Sequence, residues 1–167
     1  MMNTIHLMSR LFLSALLMVS ALASEKVNFN GQWVTDKTKA EAIPSDMEQR
    51  MKVEQDGDSI RIETDLFQGD NVQTVPDHYT VDGKEVEIIA RLQSGDETKA
   101  KRTAKWNEKG DGFEVRDIAV FNTADGIATI TTVRTWVMGA DGKSLVIEIK
   151  RTAPDGVITT KRLFTRK

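Results

Sequence analysis

"GADGKSLVIEIKRTAPDGV", residues 139–157, decides the fold. Leu145, Ile147 and Ile149 line up two residues apart, so one face of an extended segment is apolar. Asp141-Gly142 stands ahead of it and Asp155-Gly156 behind it. Asp-Gly is a hairpin signal because Gly, and more weakly Asp, tolerates the positive φ of tight primed turns. The unit is therefore a strand held between two tight turns, and its sequence neighbours run antiparallel to it.

The same unit recurs along the chain. Turn signals stand at "QDGDS" (55–59), "FQGDN" (67–71), "VDGKE" (81–85), "QSGDE" (93–97), "EKGDG" (108–112) and "TADGI" (123–127). Between them lie stretches of roughly 8–12 residues rich in Val, Ile and Thr, the pattern of an all-β meander. Ile60, Ile62, Thr64 and Leu66 share one face, as do Val86, Ile88 and Ala90, and Ala100, Ala104 and Trp106. Ile130, Trp136 and Met138 do the same. The Asp-Gly pairs at 111–112 and 125–126 return 30 residues later at 141–142 and 155–156, which convergent hairpin chemistry explains without a duplicated unit.

Ten strands are expected, over 31–36, 47–55, 58–66, 72–82, 84–92, 97–107, 112–122, 127–138, 143–152 and 157–166. Only "KTKAEAIPSD" (37–46) breaks the meander. Ten sequential strands with one apolar face either close into an up-and-down barrel or fold over as a sandwich. The barrel is the expectation, because closure removes exposed edges.

Residues 1–23 stand apart from this pattern. Arg10 precedes the apolar run "LFLSALLMVSALA" (11–23), too short to span a bilayer, and Ala21-Leu22-Ala23 is a small-x-small cleavage site. This is the pattern of a secretory signal peptide cut after Ala23, which leaves one domain over 24–167 and a periplasmic or secreted location. No Cys follows the cleavage site, so neither a lipid anchor nor a disulfide is expected. Without Arg10, 22 basic residues face 25 acidic ones, a net charge of about −3 that argues against a nucleic-acid partner.

The opening "NFNGQWVTD" (28–36) resembles the start of the lipocalin and fatty-acid-binding-protein barrels, the calycin group, with Phe29, Gly31 and Trp33 matching F-x-G-x-W. The resemblance implies that Trp33 plugs one end of a barrel and that a basic residue from "KRLFTRK" (161–167) covers it. It also implies a role for Arg162-Leu163-Phe164, which is similar to the Arg-x-Tyr/Phe that grips a ligand carboxylate in fatty-acid-binding proteins. Residues 37–46 are too few for the two helices that lid those barrels. The chain further resembles small exported bacterial lipocalin-like proteins, through W-x-x-D (33–36), "YTVDGKE" (79–85) and TW-x-x-x-ADGKSL (135–145), a likeness that implies no activity.

The residues offer little to an enzyme. His78 is the single His after the leader, so no His triad and no His-cluster metal site can form. An exposed strand His is the plain reading. Haem ligation, as in some ten-stranded barrels, has no other support in the sequence. Acids lie on turns and wet faces, and "GDG" (110–112) is a turn without strand–helix context. No cofactor and no metal is implied. Lys99, Lys101 and Lys105 form an outward stripe beside Glu85 and Glu87, to be read as a solvated face or as a polyanion patch.

Arginine is the informative residue. Arg102 shares a face with Trp106, and Arg134 with Ile130 and Trp136. Arg162 shares one with Phe164 and Ile158, although Val157 and Leu163 make that strand ambiguous. A guanidinium inside a barrel needs a partner or water. The lumen is wet, or Asp77 and Asp117 pair with the arginines, or an anionic ligand enters. Trp106, Trp136, Tyr79 and Phe164 are the expected apolar lining. The functional expectation is non-catalytic binding of a small amphipathic or anionic ligand at Arg102, Arg134, Arg162, Tyr79, Trp106, Trp136 and Phe164. The alternative is a protein-binding or inhibitory module with a solid core, acting through loops such as "DLFQGDN" (65–71).

Overall fold

The computed structural model describes residues 26–38, 47–92, 95–123 and 126–167. The expected signal peptide, and residues 39–46 of the break in the meander, lie outside the described residues. Ten strands form: β1 (Gly31–Thr35), β2 (Met47–Asp56), β3 (Ser59–Gln68), β4 (Asn71–Thr80), β5 (Asp82–Arg91), β6 (Glu97–Trp106), β7 (Gly112–Thr123), β8 (Gly126–Met138), β9 (Ser144–Ala153) and β10 (Gly156–Arg166). Every boundary lies within two residues of the sequence expectation.

All ten strands belong to one antiparallel sheet, in the order β4-β3-β2-β1-β10-β9-β8-β7-β6-β5. The two ends of the chain pair with each other, Trp33 opposite Arg166 and Thr35 opposite Phe164. The result is an up-and-down barrel and not a sandwich. The ring is interrupted once. β4 and β5 follow each other in sequence, yet they hold the two edges of the sheet and do not pair.

The seam has a local cause. Only Val81 separates the two strands, and its N–H donates to the Asp58 carbonyl (2.7 Å), which ties the corner to the β2–β3 turn. Directly after it the β5–β6 register shifts between Asp82 and Glu85, with Gly83 at a φ of 78°. A bulge of this kind bends its strand. β5 therefore leaves β4 at the corner and follows β6. Pro76, in the middle of the β4 edge, has no N–H to offer a neighbour.

Large side chains plug one end. Val27 N–H donates to the Gly110 carbonyl (2.9 Å) and Phe29 N–H to Gln55 Oε1 (2.8 Å), so residues 27–30 run across the barrel mouth. The Trp33 indole N–H donates to the Phe29 carbonyl (3.0 Å). Phe113 stacks on Trp136, with ring centres 5.3 Å apart, and Phe29 meets Phe113 edge-on at 5.2 Å. Each large apolar side chain buried here contributes about 1.5–3 kcal/mol. Gly31 has a φ of +134°, which L side chains rarely adopt, and this accounts for a glycine in F-x-G-x-W.

The other half of the lumen is lined by smaller groups. Ala100 and Ala119 are buried there with Phe121, packed by Ile88, Ala90, Leu92 and Ile130. Alanine leaves unfilled the space that Trp and Phe occupy at the plugged end, so the interior has room.

Candidate ligand-binding lumen

Among the described residues, two cavities lie within the barrel wall. The larger, about 720 Å³, is walled by β5–β10, with Ala119, Phe121 and Ile130 on its sides and Arg102, Asp117 and Arg134 among its polar groups. The smaller, about 220 Å³, is walled by β2–β4 and β8–β10 and holds Gln49, Tyr79, Trp136, Arg162 and Phe164. Arg134 borders both.

Strand parity places the three expected arginines indoors, but it does not make them equivalent. Arg102 grips Asp117 with two hydrogen bonds, Nε to Oδ1 at 2.7 Å and Nη2 to Oδ2 at 2.9 Å. Its Nη1 donates to Asp77 Oδ1 at 2.7 Å. Arg134 Nη1 donates to the same Asp117 Oδ2 at 2.7 Å. Tyr79 O–H donates to Asp77 Oδ2 at 2.7 Å, and the Arg102 guanidinium lies 5.0 Å from the Tyr79 ring centre. Two arginines and two aspartates thus form a neutral belt, with partners for the charge that burial would otherwise penalise.

Arg162 stands outside that belt. Its partner is the Gln49 side-chain carbonyl, at 3.2 Å, and no ion pair involving it is found among the described residues. An amide oxygen satisfies one donor and leaves the charge uncompensated. Burial, and then repulsion from Arg134, hold the Arg162 guanidinium below its ordinary pKa. Arginine remains protonated in proteins nonetheless. In the belt the balance is opposite. Burial alone would raise the Asp117 carboxyl, but hydrogen bonds from Arg102 and Arg134 outweigh it and hold it below the ordinary carboxylate value. Tyr79 is pushed up by burial and by the neighbouring Asp77 carboxylate, so it stays a phenol and donates.

The apolar candidates also divide. Tyr79, Trp136 and Phe164 line the Arg162 cavity. Ile158, Arg162 and Phe164 border the cavities while Val157 and Leu163 border neither, which settles the face of β10 that alternation left ambiguous. Trp106 does not border either cavity. It belongs to the plug, where its ring packs on Phe29 and Phe113 and its N–H donates to Asp58 Oδ1 at 2.8 Å. Sequence reasoning missed Gln49, although Gln49, Met51 and Val53 alternate on β2 and are all buried. It also missed Arg151, which continues the face of Ile147 and Ile149 and borders the larger cavity.

Outside, His78 is exposed, with Nε2 3.1 Å from Ser59 Oγ. Lys99 pairs with Glu87 and Lys101 with Glu85, each at 2.8 Å. Both pairs are well exposed and describe a solvated face.

No protein-family model matches the chain, and no curated protein does. Among solved structures it is similar to zebrafish ileal bile acid-binding protein complexed with cholic acid, at 18% identity over 83% of this chain and 98% of that one, with a TM-score of 0.50. It is also similar to human cRBP IV, at 17% identity over 84% and 99% with a TM-score of 0.49. A fatty-acid-binding protein from Manduca sexta matches at 18% identity over 83% and 99%, with a TM-score of 0.42. At such identity the likeness is one of fold, and the fold is that of the calycin-type β-barrels.

Proposed function

We propose that this barrel is a non-catalytic binding protein for a small amphipathic ligand with an anionic group, and that Arg162 anchors the anion. The observation that carries the reading is a half-buried guanidinium, facing a cavity, whose partner is a neutral amide. A carboxylate can accept two parallel hydrogen bonds from a guanidinium and neutralise it. The apolar part of the ligand then lies against Met51, Ile62, Ile149 and Phe164, which line the same cavity. The reading differs from the sequence expectation in one respect. Arg102 and Arg134 already have carboxylate partners, so of the three expected arginines only Arg162 is left for an anion.

Two observations favour this over a solid module acting through its loops. The interior holds about 220 Å³ beside Arg162, and Arg134 also borders a neighbouring space of about 720 Å³, which is of ligand size. Phe67, in the "DLFQGDN" segment, is covered by the Arg50 guanidinium at 4.5 Å from its ring centre. We place the protein in the periplasm or outside the cell, a proposal supported by the apolar leader at 11–23.

Calorimetric titration with decanoate and with decanol tests the anchor. The wild-type protein is expected to bind decanoate more tightly than decanol. Arg162→Met should weaken decanoate by about 1.5–3 kcal/mol, the range for a charged hydrogen bond, and leave decanol unaffected. Equal affinity of the two proteins for decanoate would remove Arg162 from the site.

A further inference from the structure

The β4 side of the β4–β5 seam borders the Arg162 cavity, and its β5 side borders the larger one. Val75, on β4, faces inward by register, lines that cavity and is 40% exposed. Val86, on β5, shares a row with the inward Arg102 and is 46% exposed. Apolar residues on an inner face are exposed where the wall beside them is missing. Solvent therefore meets the lumen along the free edges of β4 and β5.

Among the described residues, the Arg102 side chain crosses this gap. Arg102 belongs to β6, yet its Nη1 passes beneath β5 to reach Asp77 Oδ1 on β4 at 2.7 Å, and the His78 carbonyl at 3.4 Å. The two ends of this bridge are held differently. At the β6 end Arg102 is clamped by both oxygens of buried Asp117. At the β4 end Asp77 sits on a free edge, with a third of its side chain exposed, and is positioned by Tyr79 O–H. The backbone of β4 has a pairing partner on its β3 side alone. Breaking this ion pair thus loosens the β4 edge from β6 while Arg102 and Arg134 both keep Asp117.

We infer that ligand exchanges with the Arg162 cavity sideways, through the β4–β5 seam, and that the Arg102–Asp77 ion pair is the latch on that seam. This inference rests on the binding reading above. In it Arg102 and Asp77 are positioning residues that set the rate of exchange, and Arg162 sets the affinity. A charge pair on an otherwise unpaired edge suits this role, because water and a passing anion compete for it where they could not compete for a row of strand hydrogen bonds.

Asp77→Asn tests the latch, since Arg102 keeps Asp117 and Tyr79 keeps an acceptor. Stopped-flow mixing with a dansyl-labelled fatty acid is expected to show association and dissociation both at least fivefold faster, with Kd no more than twofold above wild type, since Asp77 lines the Arg162 cavity and loss of its charge removes repulsion of the anion. Hydrogen exchange of the β4 amides should accelerate, while that of β1 and β10 stays unchanged. Ala119→Phe, which narrows the larger cavity, should leave both rates unaltered. The inference is overturned if Asp77→Asn leaves the rates unchanged, or raises dissociation alone with a matching loss of affinity. A slowing by Ala119→Phe equally overturns it, since exchange would then run through the larger cavity. If the wild-type protein binds no fatty acid, the binding reading fails, and the latch is judged on β4 hydrogen exchange, where equal protection in the two proteins overturns it.

Discussion

The Arg166 guanidinium lies 4.6 Å from the ring centre of Trp33, and its Nη2 donates to the Asn28 carbonyl at 2.8 Å. The last residue of β10 thus caps a residue of β1, and it holds the plug segment through Asn28. This is the basic cover that the F-x-G-x-W resemblance implied, supplied by Arg166 from among the cations of "KRLFTRK".

Trp33→Ala should therefore cost about 3–5 kcal/mol, because the indole is fully buried and its N–H holds Phe29 in place. Arg166→Met should cost less, about 0.5–2 kcal/mol, the range of a cation–π contact. Urea melts of the two variants check the order. A loss below about 1 kcal/mol for Trp33→Ala would mean that this ring does not hold the termini together.

Asp117→Asn should be the more damaging change in the lumen, because it takes from Arg134 its carboxylate partner and leaves Arg102 with Asp77 alone. A loss of about 3–5 kcal/mol is expected, as for other buried pairs deprived of one partner. Arg162→Met, by contrast, strands no carboxylate and should cost about 1 kcal/mol, the worth of its bond to Gln49. Chemical denaturation of both separates a structural belt from a free anchor. Equal losses would contradict that division.

Acid should dissolve the belt. The Asp117 carboxyl is held below its ordinary value in the folded protein, so the unfolded chain takes up its proton first as pH falls. Its stabilisation is complete above the unfolded carboxylate value, near pH 4, and is lost as pH drops through the lower folded value. Stability measured from neutral to acid pH should therefore decline below about pH 4, and the decline should be shallower in Asp117→Asn. Matching slopes in the two proteins would show that other carboxylates dominate.

Export is tested at the N-terminus. Protein recovered from the envelope or the medium should begin at Ser24, the residue after Ala21-Leu22-Ala23. N-terminal sequencing reads this directly. An intact N-terminus held in the membrane fraction would make residues 11–23 an anchor.

Nearly all of the secondary structure was legible, for a physical reason. A period of two together with Asp-Gly turns reports interactions between residues a few positions apart, and those are present in the sequence itself. Inward parity was equally legible: Arg102, Arg134, Asp77 and Asp117 all lie where alternation placed them. Parity names a face, however, and not the neighbour across the lumen. Which arginine meets which acid depends on the height of each residue along the barrel and on the stagger of strands far apart in sequence. Only the folded barrel brings Asp117 between Arg102 and Arg134 and leaves Arg162 with Gln49, 113 residues away. The seam was hidden for a related reason. An Asp-Gly corner at 82–83 looks like every other hairpin in this chain, and only the register shift onto β6 turns it into a gap. The sequence by itself determined ten strands and the side on which each residue stands. The tertiary structure alone decided where charge is cancelled, where it is left over and where the wall is open, because those depend on contacts that a local pattern does not carry.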